Sequence, residues 1–433
     1  MKSCSKFTLI VILLFISINI SYSQEYWIHK PSPVPYVLNR IMFADTLFGW
    51  ASGDSGTVIH TTNGGNNWVV QNTGVIAYPI DDMYFINRTL GWAISNTFFY
   101  NGTRILKTTN SGNNWQLSIY PDTNVIFNCI YFTDSLNGFM GAFTGEIYKT
   151  TNAGSNWFKC GIDSNNCPLY LFPKLGINFL NSQTGFICGG FFDRQGLIWK
   201  TTNAGVNWKS FCVSPEPVKD ILAINPYKIM SAGGDREFGA TTVQSLDSGN
   251  TWLYDTLSLF GMGAALAYRT PQELWIPLTF SQTWAVSLDS GSYQSSWITI
   301  PAPDSIAVYD AVFKSPTFGW ACGIYGGLLK YNTAIIGISE SGNSVPMHSY
   351  LFQNYPNPFN PNTTIKYYVS NVSNVRIIIY DITGREVRNY FLGIMQAGYH
   401  NFKFSSQNMA SGVYIYKLYS GDYTDTKKMV ILK

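Results

Sequence analysis

Short apolar runs of strand character recur along the chain, among them FNCIYF, GFICGG, WKSFCV and GWACG, and polar segments rich in Thr, Ser, Asn and Gly part them. Six of the polar segments close on a Trp. They read TTNGGNNW (Thr61 to Trp68), TTNSGNNW (Thr108 to Trp115), TTNAGSNW (Thr150 to Trp157), TTNAGVNW (Thr201 to Trp208), SLDSGNTW (Ser245 to Trp252) and, more loosely, SLDSGSYQSSW (Ser287 to Trp297). Successive Trp residues stand 47, 42, 51, 44 and 45 positions apart. A second phrase precedes each turn: FADTLFGW, FINRTLGW, FTDSLNGF, FLNSQTGF, then INPYKIM, YRTPQELW and FKSPTFGW. A period in the forties predicts four-stranded blades repeated around a propeller axis.

The phrases number seven and the Trp turns six. Trp27 precedes Phe43 by 16 residues, as Trp252 precedes Tyr268 and Trp297 precedes Phe313. Trp27 therefore takes the slot of the missing seventh Trp. A strand around Tyr26 to Lys30 is expected to complete the last blade and lock the ring, leaving no free sheet edge. The fold predicted for residues 24–335 is all-β, a seven-bladed β-propeller closed by an N-terminal strand.

The Trp turns have a physical explanation of their own. The third position (Asn63, Asn110, Asn152, Asn203, Asp247) can accept bonds from backbone amides of its own turn. The Gly two residues on (Gly65, Gly112, Gly154, Gly205, Gly249) allows positive φ. The closing Trp (Trp68, Trp115, Trp157, Trp208, Trp252) brings a large apolar face to the gap between sheets. These residues read as structural. The pattern S/T-x-D/N-x-G-x-x-W, once per blade, resembles Asp-box (BNR-type) propellers. Its GW-A…TTNGGNNW rhythm is most similar to the photosystem II assembly-factor-like group. That resemblance implies the fold and says little about activity.

Beyond Asn332 the repeat stops. Residues 336–350 are polar and linker-like, and strand-like runs VRIIIYD, HNFKFS, GVYIYKL and KKMVILK then predict a small Ig-like β-sandwich over residues 351–433. From NYPNPFNP through ITGREV and GVYIYKL to Lys433, this segment resembles the type A C-terminal sorting domain of the type IX secretion system. The resemblance implies the type IX secretion machinery as a partner, with release or anchoring at the cell surface. At the other end, Lys2 and Lys6 precede an apolar stretch from Thr8 to Ile20, and Ser21 and Ser23 suit cleavage before Gln24. Residues 1–23 are expected to be a signal peptide.

Charged residues make up 12% of the chain and the net charge is +3. So even a balance argues against nucleic acid as a partner; the protein is expected to be a monomer. Of six cysteines outside the signal, Cys160 and Cys167 bracket a short loop and are the candidate disulfide. Cys129, Cys188, Cys212 and Cys322 are expected as small buried hydrophobes. No CxxC pair or His cluster predicts a metal, and no cofactor is expected.

No catalytic signature emerges either. Sialidases share Asp boxes, which makes a glycan-acting hydrolase the alternative function. The nearest counterpart of their Arg-Ile-Pro motif is Arg40-Ile41-Met42, without the Pro, and the other propeller arginines are Arg88, Arg104, Arg194, Arg236 and Arg269. A binding protein is the preferred expectation, with glycan and protein ligands both open. With the four strands of each blade lettered A to D in chain order and each Trp turn joining C to D, strand alternation puts the B–C and D–A connections on the face opposite the Trp turns. The longer B–C segments there carry the candidate binding residues: Phe98, Phe99 and Tyr100, then Asp193 and Arg194, then Asp235, Arg236 and Glu237.

Overall fold

The structure is a computed structural model that describes residues 25–96, 102–165, 167, 171–335, 349–354, 356–369, 372–396, 398–421 and 423–432. The expected signal peptide, most of the expected linker, and Phe98, Phe99 and Tyr100 lie outside the described residues.

Seven antiparallel sheets succeed one another along the first part of the chain. Blade 1 spans residues 38–70, blade 2 82–119, blade 3 127–159, blade 4 174–214, blade 5 218–256 and blade 6 262–301. Blade 7 combines Val308–Ser315, Phe318–Gly323 and Leu328–Tyr331 with a fourth strand, Trp27–Lys30. In that strand Trp27 lies opposite Tyr331 and Lys30 opposite Leu328, so the expected closure is the observed one. The second strands are buried along their whole length in most blades, as in Gly49–Gly53 and Gly138–Ala142, which explains their near-continuous apolar reading.

Blades are joined by aromatic side chains. The Phe that ends the innermost strand of one blade stacks on the aromatic residue of the preceding blade's second strand. Phe85 lies 3.7 Å from Trp50 between ring centroids, Phe132 3.5 Å from Trp92, and Phe179 4.6 Å from Phe139. The Trp that closes the turn then meets the same Phe edge-on: Trp68 with Phe43, Trp115 with Phe85, Trp157 with Phe132 and Trp208 with Phe179. Offset and edge-to-face pairs of this kind add about 0.5–1.5 kcal/mol each beyond their area. The indole N–H of Trp50 reaches across to Ser111 O at 2.9 Å, and that of Trp92 to Ala153 O at 3.1 Å. Trp27 completes the pattern in blade 7, 5.4 Å from Phe313 and 5.8 Å from Trp275, with a parallel stack on Trp284 at 4.7 Å.

The C-terminal region forms two sheets, one of three strands and one of four. They enclose a separate core that includes Ile365, Tyr367, Ile377, Ile379, Tyr416 and Ile431. This is the expected β-sandwich.

Truncating a fully buried Trp in such a site removes large apolar area and leaves a cavity. Trp27→Ala should cost about 3–5 kcal/mol, and removal of residues 24–33 should cost more. Denaturant midpoints of the two variants against the parent chain check this; unchanged midpoints would contradict closure by the N-terminal strand.

Candidate functional site

The alternation of strand direction sorts the turns of the ring onto two faces, and hydrogen bonds show the sorting. On one face each Trp turn leans on the A–B turn of its own blade: Gly64 N–H on Leu47 O, Ser111 on Thr89, Ala153 on Leu136, Ala204 on Gln183 and Ser248 on Tyr227. On the other, the described B–C turns bond a neighbouring D–A connection: the one leaving the blade where Gly56 N–H meets Tyr78 O and Ala302 N–H meets Gln282 O, the one entering it where Phe143 N–H meets Ile126 O and Ile324 N–H meets Ala307 O.

The Trp-turn face spends its polar groups internally. Thr61 Oγ1 accepts the N–H of Gly65 at 2.9 Å and donates to Asn63 Oδ1, which in turn accepts the N–H of Asn67 at 3.0 Å. The same bonds recur around Asn110, Asn152 and Asn203. Around Asp247, hydrogen bonds from Thr251 and Ser245 hold the carboxyl well below the usual carboxylate range. Gly65 at φ +80° has no room for a side chain, since a Cβ would sit 2.0 Å from the Trp320 ring.

At the hub the innermost strands are tied by buried charges. Arg40 Nε donates to Asp82 Oδ1 at 2.7 Å, and its Nη1 lies 3.8 Å from Asp310 Oδ2. Each aspartate also accepts a backbone N–H from the next blade, Asp82 from Ile130 and Asp310 from Ile41, both at 2.8 Å. Asp220 does the same for Leu266. The Asp82 carboxylate raises the Arg40 pKa above its ordinary value, and burial pushes the Asp310 carboxyl up to about 6. Arg40, the nearest counterpart of a sialidase arginine, is thus committed to the ring.

The B–C and D–A face holds the remaining candidates. The longer B–C segments of blades 4 and 5 are hairpin extensions more than loops: Phe191 pairs with Gln195, and Asp235 with Gly239. Their tips bring Asp193 and Asp235 together with Glu216 of the D–A connection, with carboxylate oxygens all within 4.8 Å of one another. Asp193 is exposed, whereas Glu216 is 4% and Asp235 5% exposed. Glu216 accepts the N–H of Asp193 at 3.2 Å, and Asp235 that of Phe238 at 2.5 Å. Burial, then the charges of Asp235, Asp193 and Glu237, hold the Glu216 carboxyl above its ordinary value. Arg194, Arg236 and Glu237 are exposed, and among the described residues no Lys or Arg pairs with these carboxylates. Sequence reasoning missed Glu216; the signal available was a lone charge in the short connection SPEP, adjoining both candidate loops.

Charge is unevenly divided between the faces. The B–C and D–A connections carry Asp54, Asp81, Asp122, Glu146, Asp163, Asp193, Glu216, Glu237 and Asp304 against Arg194 and Arg236 alone. Strand ends add Asp235 on one side and Lys30, Lys159 and Lys174 on the other; Lys159 pairs with Glu146 at 3.3 Å, and Lys219, one residue into its strand, holds its Nζ 5.4 Å from the Phe192 ring centre. Lys174 is fully buried over the Trp199 ring at 3.6 Å, with Nζ donating to Phe172 O and Gly145 O. Asp81, whose Oδ2 accepts both N–H groups offered by Asn96, is pushed up to about 6 by burial.

Exposed aromatic rings stand at the B–C tips of five successive blades: Phe143, Phe191 with Phe192, Phe238, Phe280 and Tyr325. Phe238 is 62% and Tyr325 82% exposed. The sequence shows them once the blades are aligned, as an aromatic within three positions of the end of the second strand in blades 3 to 7.

The disulfide corrects the expected one. Cys167 pairs with Cys212, Cα atoms 5.3 Å apart, and Cys160 is a free thiol. The reason lies in Gly161–Asp163, which adds a fifth strand to blade 4, parallel to Asn207–Lys209. That extended stretch leads away from Cys160, and the turn in which Cys167 N–H bonds Ser164 O delivers Cys167 to the outer strand. Cys212, expected to be buried, lies on the exposed side of that strand. Cys129, Cys188 and Cys322 are buried as expected.

These features define a two-part chain, a seven-bladed β-propeller followed by a β-sandwich. Residues 353–432 match the secretion system C-terminal sorting domain. The chain is therefore addressed by type IX export to the cell surface or to secretion. No curated protein matches the chain. Among solved structures, it is similar to YCF48 bound to D1 peptide, with a TM-score of 0.57 at 19% identity over 71% of this chain and 97% of that one. YCF48 from Cyanidioschyzon merolae gives 0.57 and 19%, covering 71% and 99%. A GH74 xyloglucanase from Xanthomonas campestris gives 0.54 and 11%, covering 79% and 59%. At such identities the likeness is one of fold.

Two measurements check this geometry. Peptide mapping without reduction should return Cys167 linked to Cys212 and Cys160 open to alkylation, and Cys212→Ser should cost about 2–4 kcal/mol; a Cys160–Cys167 link would contradict the pairing. For Asp81, a folded-state value of about 6 above the ordinary 3.8 means stability that is present below the unfolded value and lost as pH rises through 6. Asp81→Asn removes that loss. Its stability relative to the parent should rise from pH 4 to pH 7, by at most about 3 kcal/mol, whereas a flat difference would contradict the buried carboxyl.

Proposed function

We propose that this chain is a secreted or surface-attached binding protein without catalytic activity, which offers its B–C and D–A face to a macromolecular ligand. The observation that carries the reading is the contrast between the faces. The first and third residues of the Trp turns spend their side-chain oxygens in the turns' own hydrogen bonds, while the opposite tips of five successive blades expose aromatic rings, with charges beside them on the hairpin ends. Loops on a rigid scaffold are the usual carriers of recognition.

The fold leaves the class open. A propeller of this architecture has been seen with a peptide on it, and another is a xyloglucanase. The residues favour binding. The carboxylates that converge, Asp193, Glu216 and Asp235, crowd within 4.8 Å of one another with no Lys or Arg partner among the described residues, which suits a cationic ligand better than an acid and a base flanking a glycosidic bond. The described arginines do not converge: Arg40 is in the hub, Arg88 pairs with Asp45, and Arg269 with Glu273.

Two outcomes are expected. The purified chain should not turn over fluorogenic sialosides or other aryl glycosides, and turnover lost on changing one carboxylate would establish the hydrolase instead. A form ending at Ile335 should fold, since the two cores are separate, yet accumulate in the periplasm of a type IX-competent host; normal surface display would contradict dependence on residues 353–432.

A further inference from the structure

We propose that the ligand of the B–C and D–A face is a polypeptide segment bearing Lys or Arg flanked by apolar side chains, seated across the tips of blades 4 to 6. The inference rests on the reading of that face as the binding surface and adds the chemistry of its occupant.

Two observations select the occupant. The first is apolar area: Phe191, Phe192, Phe238, Phe260 and Phe280 are each between 45% and 62% exposed, on consecutive B–C tips and the D–A connection between them. Single exposed rings are ordinary, but a run of them on neighbouring tips marks a contact surface. The second is charge. Between these rings open the carboxylates of Asp193, Glu216 and Asp235, with Glu237 on the next residue but one, and no Lys or Arg among the described residues pairs with them. Arg194 and Arg236 flank them, exposed and unpaired among the described residues, so the notch keeps a negative excess. The connections of the whole face repeat this sign, with nine carboxylates against two guanidinium groups, offset in part by Lys30, Lys159 and Lys174 at the strand ends.

An ammonium or guanidinium group meets both demands at once. It makes charge-assisted bonds to the notch carboxylates, and the electron-rich faces of nearby Phe rings attract it. Apolar neighbours in the same segment cover the remaining ring area. A neutral glycan would stack on the rings and leave the carboxylates without a counter-charge. An acidic segment would be repelled. Electrostatic complementarity of this kind sets partner choice and speeds encounter.

The test uses the full chain and fluorescein-labelled 12-residue peptides read by anisotropy. One peptide carries two Lys among Leu and Tyr, a second carries Glu in place of Lys, and a glycan array is run beside them. The Lys peptide should bind and the Glu peptide should not. Raising NaCl from 0.15 to 0.5 M should weaken binding several-fold, by screening. Glu216→Gln combined with Asp235→Asn should weaken it at least tenfold. Should that buried pair disturb folding, the exposed changes Asp193→Asn with Glu237→Gln, and separately Phe191→Ser with Phe238→Ser, are each expected to weaken it threefold or more. Leu136→Ser and Tyr227→Ser, exposed on the Trp-turn face, should leave it unchanged.

Equal binding of both peptides, or binding indifferent to all three variant sets, overturns the inference. Glycan binding lost with Phe191→Ser and Phe238→Ser, without peptide binding, overturns it while leaving the face reading intact. Millimolar CaCl₂ that raises the melting temperature only while Asp193, Glu216 and Asp235 are present makes the notch a metal site and likewise overturns it. Binding lost only with Leu136→Ser or Tyr227→Ser defeats both readings.

Discussion

A propeller has no single core, so its integrity depends on what holds each blade to the next. Here that is one repeated contact: the Phe at the end of an innermost strand, stacked on the aromatic ring of the preceding blade and met edge-on by the Trp that closes its own blade's turn. The contact dictates much of the sequence. In blades 1 to 4 and 7 it needs an aromatic residue at two fixed places, and a Gly beside the second because Phe packs where a Cβ would be; at Gly91 that atom would lie 2.4 Å from Phe85. It also needs a turn of constant length to bring the closing Trp into place. The hydrogen-bonded Thr–Asn–Gly turn supplies that length, and in doing so uses up its polar groups.

The division of labour between the faces follows from this. The face that aligns the closing Trp residues is fixed by packing, with little chemistry left to offer. Connections on the other face need only lean on one another, so they are free to vary. Their variation gathers carboxylates and exposed rings. The hub charges belong to the first category despite their chemistry: Arg40, Asp82 and Asp310 bind blades 7, 1, 2 and 3 together.

The ring was legible in the sequence because its packing is periodic. Trp27 could be placed in the last blade from its distance to Phe43 alone, and the structure puts it against Phe313 and Trp275 as the other closing Trp residues sit. Much that departs from the period was hidden. The fifth strand of blade 4 is parallel and local to one connection, so nothing in the spacing announced that Cys167 would reach Cys212. The candidate face was legible in part. Asp193 and Asp235 were singled out as charges in long loops, but their convergence on Glu216 depends on how far two hairpins extend, which is a matter of strand register.

The closing strand carries a consequence for the order of assembly. Trp27 finds its partner at Tyr331, some three hundred residues later in synthesis. Contacts so distant in sequence are slow to form and are made last. Until residues 328–331 arrive, the first strand has neither a neighbour for its backbone nor a pocket for its indole, and the last sheet offers an open edge. Blades 2 to 6 can settle in turn against the blade before them, blades 2 to 5 through aromatic contacts. The ring as a whole becomes a ring in one late step, at the same place where its first and last residues meet.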